Sequence, residues 1–529
     1  MVGDARPTKA PMLKFDNRFL QSLPGDVNTA NHSRQVHGAF WSRVAPTPVA
    51  EPRLMAYSSE VALMLGVSEA EMHAPEMIPA LSGNGVLPGM ETYATVYGGH
   101  QFGNWAGQLG DGRAILLGEA VTSNGRFEMQ LKGAGRTPFS RGADGRAVLR
   151  SSIREYLCSE AMHHLGVPTT RALSLVLTGD QVERDMFYDG NAALEPGAIV
   201  CRVAPTFIRF GHFELFASRN ETALLRQLVD FTITHYFPDI AKGYTDENER
   251  ILAWFGEVCE RTAKLIAEWM RVGFVHGVMN TDNLSILGLT IDYGPYGWVD
   301  DFDPGWTPNT TDAGGKRYCF GRQPGIAQWN LARLGDALST LGIEPASLKA
   351  VLEKYETASG LAINRVYSEK FGLYQWQDAD GDVMDAAFAL LMESEIDMTI
   401  FFRALATAEG VEALRDAFYI EGQWLQAREK WVAWFARYTA LVSEQNPTSE
   451  QELARVNRMR QANPKYVLRN YLAQQAIDAA HAGDYSKIAE LLDVMRKPYD
   501  DQPGREAFAE KRPDWARTKA GCSMLSCSS

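Results

Sequence analysis

Two short strand-like runs rich in hydrophobic positions lie in the first third of the chain, Arg113–Val121 and Phe127–Gly133. In the second run Phe127, Met129 and Leu131 alternate with Glu128, Gln130 and Lys132. A period of two belongs to a strand with one apolar and one polar face, so Lys132 is expected on the polar side. Asn124-Gly125 lies between the runs and signals a hairpin, because both residues tolerate positive φ. The period then changes. Leu149, Ile153 and Leu157 recur every four residues, which predicts a helix over 146–165, stopped by Gly166-Val167-Pro168. Strand texture returns and lasts to about residue 216. Beyond it the pattern is helical over Ala223–Tyr236, Glu249–Val272 and Gln328–Leu341, and again through 436–500. Strand-and-loop texture reappears only around 283–303.

This succession predicts an α+β chain in four parts. Residues 1–90 mix short helical patterns with Pro-rich joints, 91–216 are sheet-rich, 217–435 are helical, and 436–529 hold further helices and a tail. From Asp500 the tail is charged and contains Pro and Gly, so it is expected to be mobile. No internal repeat is evident.

Composition narrows the function classes. The 529 residues are 45% hydrophobic and 22% charged, ordinary for a soluble globular protein. A net charge of −13 argues against nucleic acid or an anionic membrane as a partner, since both need an exposed basic surface. It leaves room for a buried basic pocket. No run of about 18 apolar residues occurs, and the first residues lack an apolar signal core. The six cysteines show no C-x-x-C spacing and fit a reducing compartment. A cytoplasmic monomer is the default expectation.

The chemistry is concentrated in His276-Gly277-Val278-Met279-Asn280-Thr281-Asp282-Asn283, followed by Asp292-Tyr293-Gly294. Kinase-type catalytic loops place an acidic base after a His, an Asn a few residues later, and then a metal-holding Asp. His276 and Asn283 fit that spacing, with His276 read as a structural loop residue. The base position is Val278, which takes no proton, and Asp282 is the nearest carboxylate able to replace it. Asn283 and Asp292 offer an amide and a carboxylate oxygen, the hard donors that Mg²⁺ prefers. Asp300, Asp301 and Asp303 are competing carboxylates. Lys132, on the strand after a Gly-rich hairpin, stands where kinase-like proteins hold phosphates, and Glu155 on the following helix is its candidate partner. Gly110-Asp111-Gly112-Arg113 lets backbone N–H groups approach phosphate oxygens, and the Gly/Arg-rich segment 132–146 offers a second such loop. Arg202 and Arg209 sit in an apolar run and must be paired, either in structural ion pairs or as phosphate clamps.

Taken together, these motifs resemble the selenoprotein O family, whose bacterial members are kinase-like protein adenylyltransferases. The resemblance runs from Phe15-Asp16-Asn17 through Tyr97-Gly98-Gly99-His100-Gln101-Phe102-Gly103, Gln130-Leu131-Lys132-Gly133, His276–Asn283 and Thr290–Pro295 to Cys527-Ser528-Ser529. It implies a protein-kinase-like bilobal fold with N-terminal and C-terminal extensions. ATP would lie inverted, so that AMP is transferred to Ser, Thr or Tyr hydroxyls of other proteins and of the enzyme itself. Carried over by motif, Asp282 is the proton acceptor and Asn283 and Asp292 hold Mg²⁺ or Mn²⁺. Gly110, Gly112, Arg113, Lys132, Asp144, Gly145, Arg202, Arg209 and Asp292 contact ATP, and Glu155 pairs with Lys132. Cys527 stands where some members carry selenocysteine. The loop after Asp292 lacks the cysteine of some relatives, which leaves Cys527 to pair with Cys319, Cys522 or neither. UMP transfer from UTP with Mn²⁺, conventional phosphotransfer, and a non-catalytic nucleotide-binding scaffold remain as alternatives.

Overall fold

A computed structural model describes residues 13–187, 189–374, 378–446, 448–522 and 524–526. It is a mixed α and β structure. Thirteen strands are found among the described residues: β1 (Lys14–Phe15), β2 (Trp41–Arg43), β3 (Arg53–Tyr57), β4 (Tyr93–Thr95), β5 (Gly98–Gln101), β6 (Asn104–Gln108), β7 (Ala114–Thr122), β8 (Gly125–Lys132), β9 (Ala147–Val148), β10 (Arg171–Arg184), β11 (Ala193–Ala204), β12 (Phe274–Val275) and β13 (Gly297–Trp298). The main sheet is antiparallel and ordered β2-β4-β7-β8-β11-β10-β3, with β1 joined to β7 and β9 to β11. The segment before residue 91, expected as short helices and joints, therefore supplies both edge strands. Strands of three and five residues carry too little alternation to be read from sequence.

The expected hairpin is β7–β8, but its turn sits one residue earlier than predicted. Thr122 pairs with Gly125, which places Ser123-Asn124 at the tip. The polar face of β8 is covered as well: Glu128 and Gln130 are buried, because β8 lies mid-sheet. Glu128 accepts from the Phe207 backbone N–H at 2.8 Å and from Thr206 Oγ1 at 3.1 Å. Burial nevertheless pushes its carboxyl up to about 8.

The helix predicted over 146–165 spans Leu149–His164 and lies against β10 and β11. Strand texture ends at Ala204, not near 216, and a helix already runs over Phe210–Ser218. The segment Phe207–Phe216 is dense in large apolar residues interrupted by Arg209, His212 and Glu214, and it is too short for its period to separate a strand from a buried helix. Asp246 caps the next long helix, Glu247–Val272, by accepting from Glu249 N at 2.9 Å, and Gly273 closes it at φ 75°. Its buried stripe, Ile251, Trp254, Phe255, Val258, Leu265, Ile266 and Trp269, keeps helical spacing. Each such large side chain contributes about 1.5–3 kcal/mol on burial. The helix packs against Pro345–Phe371 and aims its C-terminal end at β12. No helix of the described residues is long and apolar enough to cross a membrane.

The tail from Asp500, read above as mobile, makes contacts along its described residues. Lys511 Nζ donates to Phe418 O at 2.6 Å, and Arg512 pairs with Asp301 at 2.8 Å. Leu525 N donates to Pro308 O at 2.9 Å and its carbonyl accepts from Thr310 N at 2.7 Å. The tail thus reaches the loop after Asp292 through backbone hydrogen bonds. Cys319 and Cys522 carry free, buried thiols. Cys527, and with it the expected tail-to-loop pairing, lies outside the described residues.

Candidate active site

A cleft of about 680 Å³ opens between the sheet and the loop that follows Val275. Gly110, Gly112, Arg113, Lys132, Asp144, Gly145, Arg202, Arg209, Asp282, Asn283 and Asp292 all line it. Residues spread over about a third of the chain, from Gly110 to Asp292, are brought together by three placements. Lys132 ends β8, Arg202 lies beside it on β11, and Asp282, Asn283 and Asp292 come from the loop between β12 and β13. Eight of the lining side chains are cationic and four are carboxylates, the reverse of the chain's net charge of −13.

The inner end of the cleft is an ion-pair network. Lys132 Nζ lies 2.5 Å from Glu155 Oε2, so the helix Leu149–His164 delivers the expected partner. Burial pulls the Lys132 ammonium below its ordinary value, and Glu155 opposes that shift. Arg202 Nη1 reaches Glu155 at 3.2 Å and Asp292 at 2.6 Å, and its other amino group donates to Gln130. Arg209 pairs with Asp292, donates to the Asp282 carbonyl at 2.8 Å, and lies over the Tyr97 ring at 4.9 Å. Burial alone would push the Asp292 carboxyl up. Arg209, Arg202 and Lys132 overcome that and hold it well below the usual carboxylate range. Asp292 also sits at φ 57°, a left-handed conformation uncommon outside glycine and stored here by the surrounding contacts.

The catalytic-type loop is fixed by buried amides. Gln323 accepts from His276 N at 3.0 Å and donates to Phe274 O at 2.9 Å. Asn330 donates to Met279 O at 2.9 Å, and Asn309 to Gly277 O at 3.0 Å. His276 stacks on Trp269 and bridges to Ile291 O at 2.8 Å, tying the loop to the segment before Asp292. Burial lowers its pKa. These contacts match the structural role expected of it. The Val278 side chain lines the cleft, and its carbonyl accepts from Asn283 Nδ2 at 2.9 Å. The amide oxygen of Asn283 is therefore the end available to a cation.

Asp282 sits in a short 3-10 turn, Thr281–Asn283. Gln101 Nε2 donates to its Oδ2 at 3.1 Å, while its Oδ1 is buried without a hydrogen-bond partner among the described residues. Burial pushes the carboxyl up to about 7, against the Gln101 hydrogen bond and the Arg209 charge. The competing carboxylates are elsewhere. Asp300 pairs with Arg469 at 2.8 Å and Asp301 with Arg512 at 2.8 Å, and neither they nor Asp303 line the cleft.

Two contributors were not predicted. Arg184, near the end of β10, binds both oxygens of Asp144 at 2.8 Å and lines the cleft. Alternation along that strand places it on a face but does not reveal a partner forty residues away. The pair is partly exposed, so Arg184→Ala is expected to weaken nucleotide affinity only a few-fold, by roughly 1 kcal/mol or less; a titration of nucleotide binding measures this. The second contributor is the β5–β6 hairpin. His100 N donates to Thr281 Oγ1 at 2.7 Å and Phe102 N to Asn280 Oδ1 at 3.1 Å. A Cβ on Gly99 would meet Asp282 Oδ1 at 2.7 Å. The glycine density of this stretch was the available signal, and it reflects close approach to the loop carrying Asp282.

Comparison with known proteins identifies the family. A family model described as "Protein adenylyltransferase SelO" matches residues 26–496. The chain is similar to the protein named "Protein nucleotidyltransferase YdiU" of Aromatoleum aromaticum, 59% identical over 526 residues, 98% of this chain and 99% of that protein. The same name belongs to similar proteins of Methylobacillus flagellatus, 59% identical over 525 residues covering 98% and 100%, and of Xanthomonas euvesicatoria pv. vesicatoria, 60% identical over 523 residues covering 98% and 99%.

Proposed function

We propose, on the premise that the chain belongs to the protein adenylyltransferase SelO family and is a protein nucleotidyltransferase, that it carries AMP from ATP to Ser, Thr or Tyr hydroxyls of proteins, itself included, and releases pyrophosphate. The fold is read as a protein-kinase-like bilobal one. The main sheet with the helix Leu149–His164 forms the smaller lobe, and the helices from Phe210 onward form the larger. The observation that carries this reading is the buried cationic cluster of Lys132, Arg202 and Arg209 around Asp292. Three desolvated cations at the inner end of a cleft suit a highly charged polyphosphate better than a neutral purine, so the triphosphate points inward.

In this arrangement Lys132, Arg202 and Arg209 hold the β- and γ-phosphates and stabilise the pyrophosphate as it leaves. Gly110, Gly112, Arg113 and the Asp144-Gly145 turn border the rest of the nucleotide. Asn283 and Asp292 fit a divalent ion by donor chemistry. One offers its amide oxygen and the other carboxylate oxygens that keep a second lone pair beside the arginine hydrogen bonds. They would hold Mg²⁺ or Mn²⁺, whose contribution when bound is to offset phosphate charge. The acceptor hydroxyl oxygen forms a bond to the α-phosphorus, the bond to the β-phosphate oxygen breaks, and the hydroxyl proton passes to Asp282.

The position of the Asp282 carboxyl, near 7, sets a pH signature. Only its ionised form accepts a proton. The transfer rate is expected to fall about tenfold per pH unit below 7 and to level off above it, as read from single-turnover rates between pH 5.5 and 8.5. A flat profile across that range would remove Asp282 from the proton transfer.

Intact-mass measurement after incubation with ATP or UTP, with Mg²⁺ or Mn²⁺, tests the reading. An AMP adduct is expected. A UMP adduct formed in preference to AMP reassigns the nucleotide, and a phosphate adduct makes the enzyme a conventional kinase. A nucleotide-dependent thermal shift without an adduct leaves a binding scaffold.

A further inference from the structure

Beside the cleft, the tip of the β5–β6 hairpin forms a surface that the nucleotide chemistry does not use. Gln101 and Phe102 line the cleft, and the chain then turns outward through Gly103 to Trp105, which is 39% exposed. The tip is held in place. Phe102, at φ 50°, donates its backbone N–H to Asn280 at 3.1 Å and to Tyr318 Oη at 2.9 Å. Trp105 packs on His100, whose ring meets Trp329 edge-on. This surface is therefore rigidly joined to the loop carrying Asp282.

Arg317 lies against it. Its guanidinium is 4.7 Å from the Trp329 ring and 5.7 Å from the Tyr318 ring, and about 3.4 Å from where a Cβ on Gly103 would stand. Among the described residues no carboxylate lies within ion-pair distance of it; its side chain hydrogen-bonds to Tyr318, and its buried Nε has no partner. The closest acid in sequence, Asp312, accepts instead from the Arg317 and Tyr318 backbone N–H groups at 2.9 and 2.7 Å. Lys316 and Arg322 add positive charge to the same turn, and Arg322 donates only to the carbonyls of Gly315 and Lys316. Arg333, also over the Trp329 ring at 5.1 Å, is balanced by Asp336 at 3.0 Å. In a chain of net charge −13, the Arg317 guanidinium lies over two aromatic rings and feels the charge of Asp312 without an ion pair to it, which leaves it able to receive an external anion.

We infer that this surface docks the acceptor segment of the protein substrate, and that it selects segments with an acidic side chain near the hydroxyl residue, received by Arg317 while apolar neighbours pack on Phe102 and Trp105. The inference rests on the reading of Asp282 as the group facing the acceptor hydroxyl. It names the substrate class as acid-flanked hydroxyl segments. The hairpin then has two tasks, holding Asp282 through Gln101 and presenting the segment to it.

The test uses the full chain and two fluorescent peptides, one with a single Tyr flanked by Glu and one with Lys in place of each Glu. Anisotropy reports binding without requiring transfer, and intact mass reports transfer. The acidic peptide is expected to bind the wild type at least about tenfold more tightly than its Lys twin, the effect of one charge-assisted contact, with a preference that shrinks as salt rises. R317E should reverse the order while leaving the ATP-induced thermal shift unchanged, and R317Q should abolish the preference. Equal binding of the two peptides, or an R317E and R317Q preference equal to the wild type's, overturns the docking surface even if both peptides are labelled. An acidic peptide that binds through Arg317 but takes no adduct supports the surface and counts instead against the reading of Asp282 as the group facing the acceptor hydroxyl.

Discussion

Asp292→Ala is expected to reduce transfer by about 10³-fold or more. The substitution removes a candidate metal ligand and the shared counter-charge of Arg202 and Arg209 at once. Together these effects are worth several kcal/mol, at about 1.4 kcal/mol per factor of ten. Stability should fall as well. Removing one partner of a buried ion pair costs about 3–5 kcal/mol. The lower end applies here, because Asp292 is 22% exposed and Arg202 keeps Glu155 at 3.2 Å. A specific signature follows. The triphosphate supplies the negative charge that Asp292 no longer does, so ATP should raise the melting temperature of the variant at least as much as that of the wild type. Wild-type turnover in Asp292→Ala contradicts the assignment.

Asp282→Asn is expected to lower the transfer rate by about 10²–10⁴-fold, the range for loss of a positioned general base, while nucleotide binding persists. Its effect on stability has the opposite sign to that of Asp292→Ala. Burial raises the Asp282 carboxyl to about 7, so the folded protein binds this proton more tightly than the unfolded chain does. The wild type therefore loses stability as pH rises from the ordinary carboxylate range to about 7. The neutral amide escapes that loss, and Asp282→Asn should melt higher than the wild type at pH 8 and about equally at pH 4. A variant that is inactive but less stable at pH 8 would mean that the substitution broke the loop rather than the chemistry.

What the sequence disclosed followed from how locally each feature is encoded. The β7–β8 hairpin, the helix Leu149–His164 and the helix Glu247–Val272 were visible because period and caps lie within a few residues. The residues gathered in the cleft were visible because each sits in a short motif, and the Lys132–Glu155 pair because a strand–helix succession fixes it. Less could be read where partners are distant. The edge strands β2 and β3 are short and take their pairing from residues far along the chain. Gln101 meets Asp282 across 181 positions, and Arg184 meets Asp144 across 40. The burial of the polar face of β8 was not legible either, because alternation reports which face is polar, not what covers it.

The central claim is that buried arginines grip phosphates, so that the nucleotide lies reversed and presents its α-phosphate to the acceptor. A crystal structure with a non-hydrolysable ATP analogue and Mg²⁺ tests it most directly. The β- and γ-phosphates should lie against Lys132, Arg202 and Arg209, with the ion on Asn283 and Asp292 and the purine toward the cleft mouth. A purine stacked at the inner end beside Arg202 and Arg209, with phosphates directed outward, would contradict it.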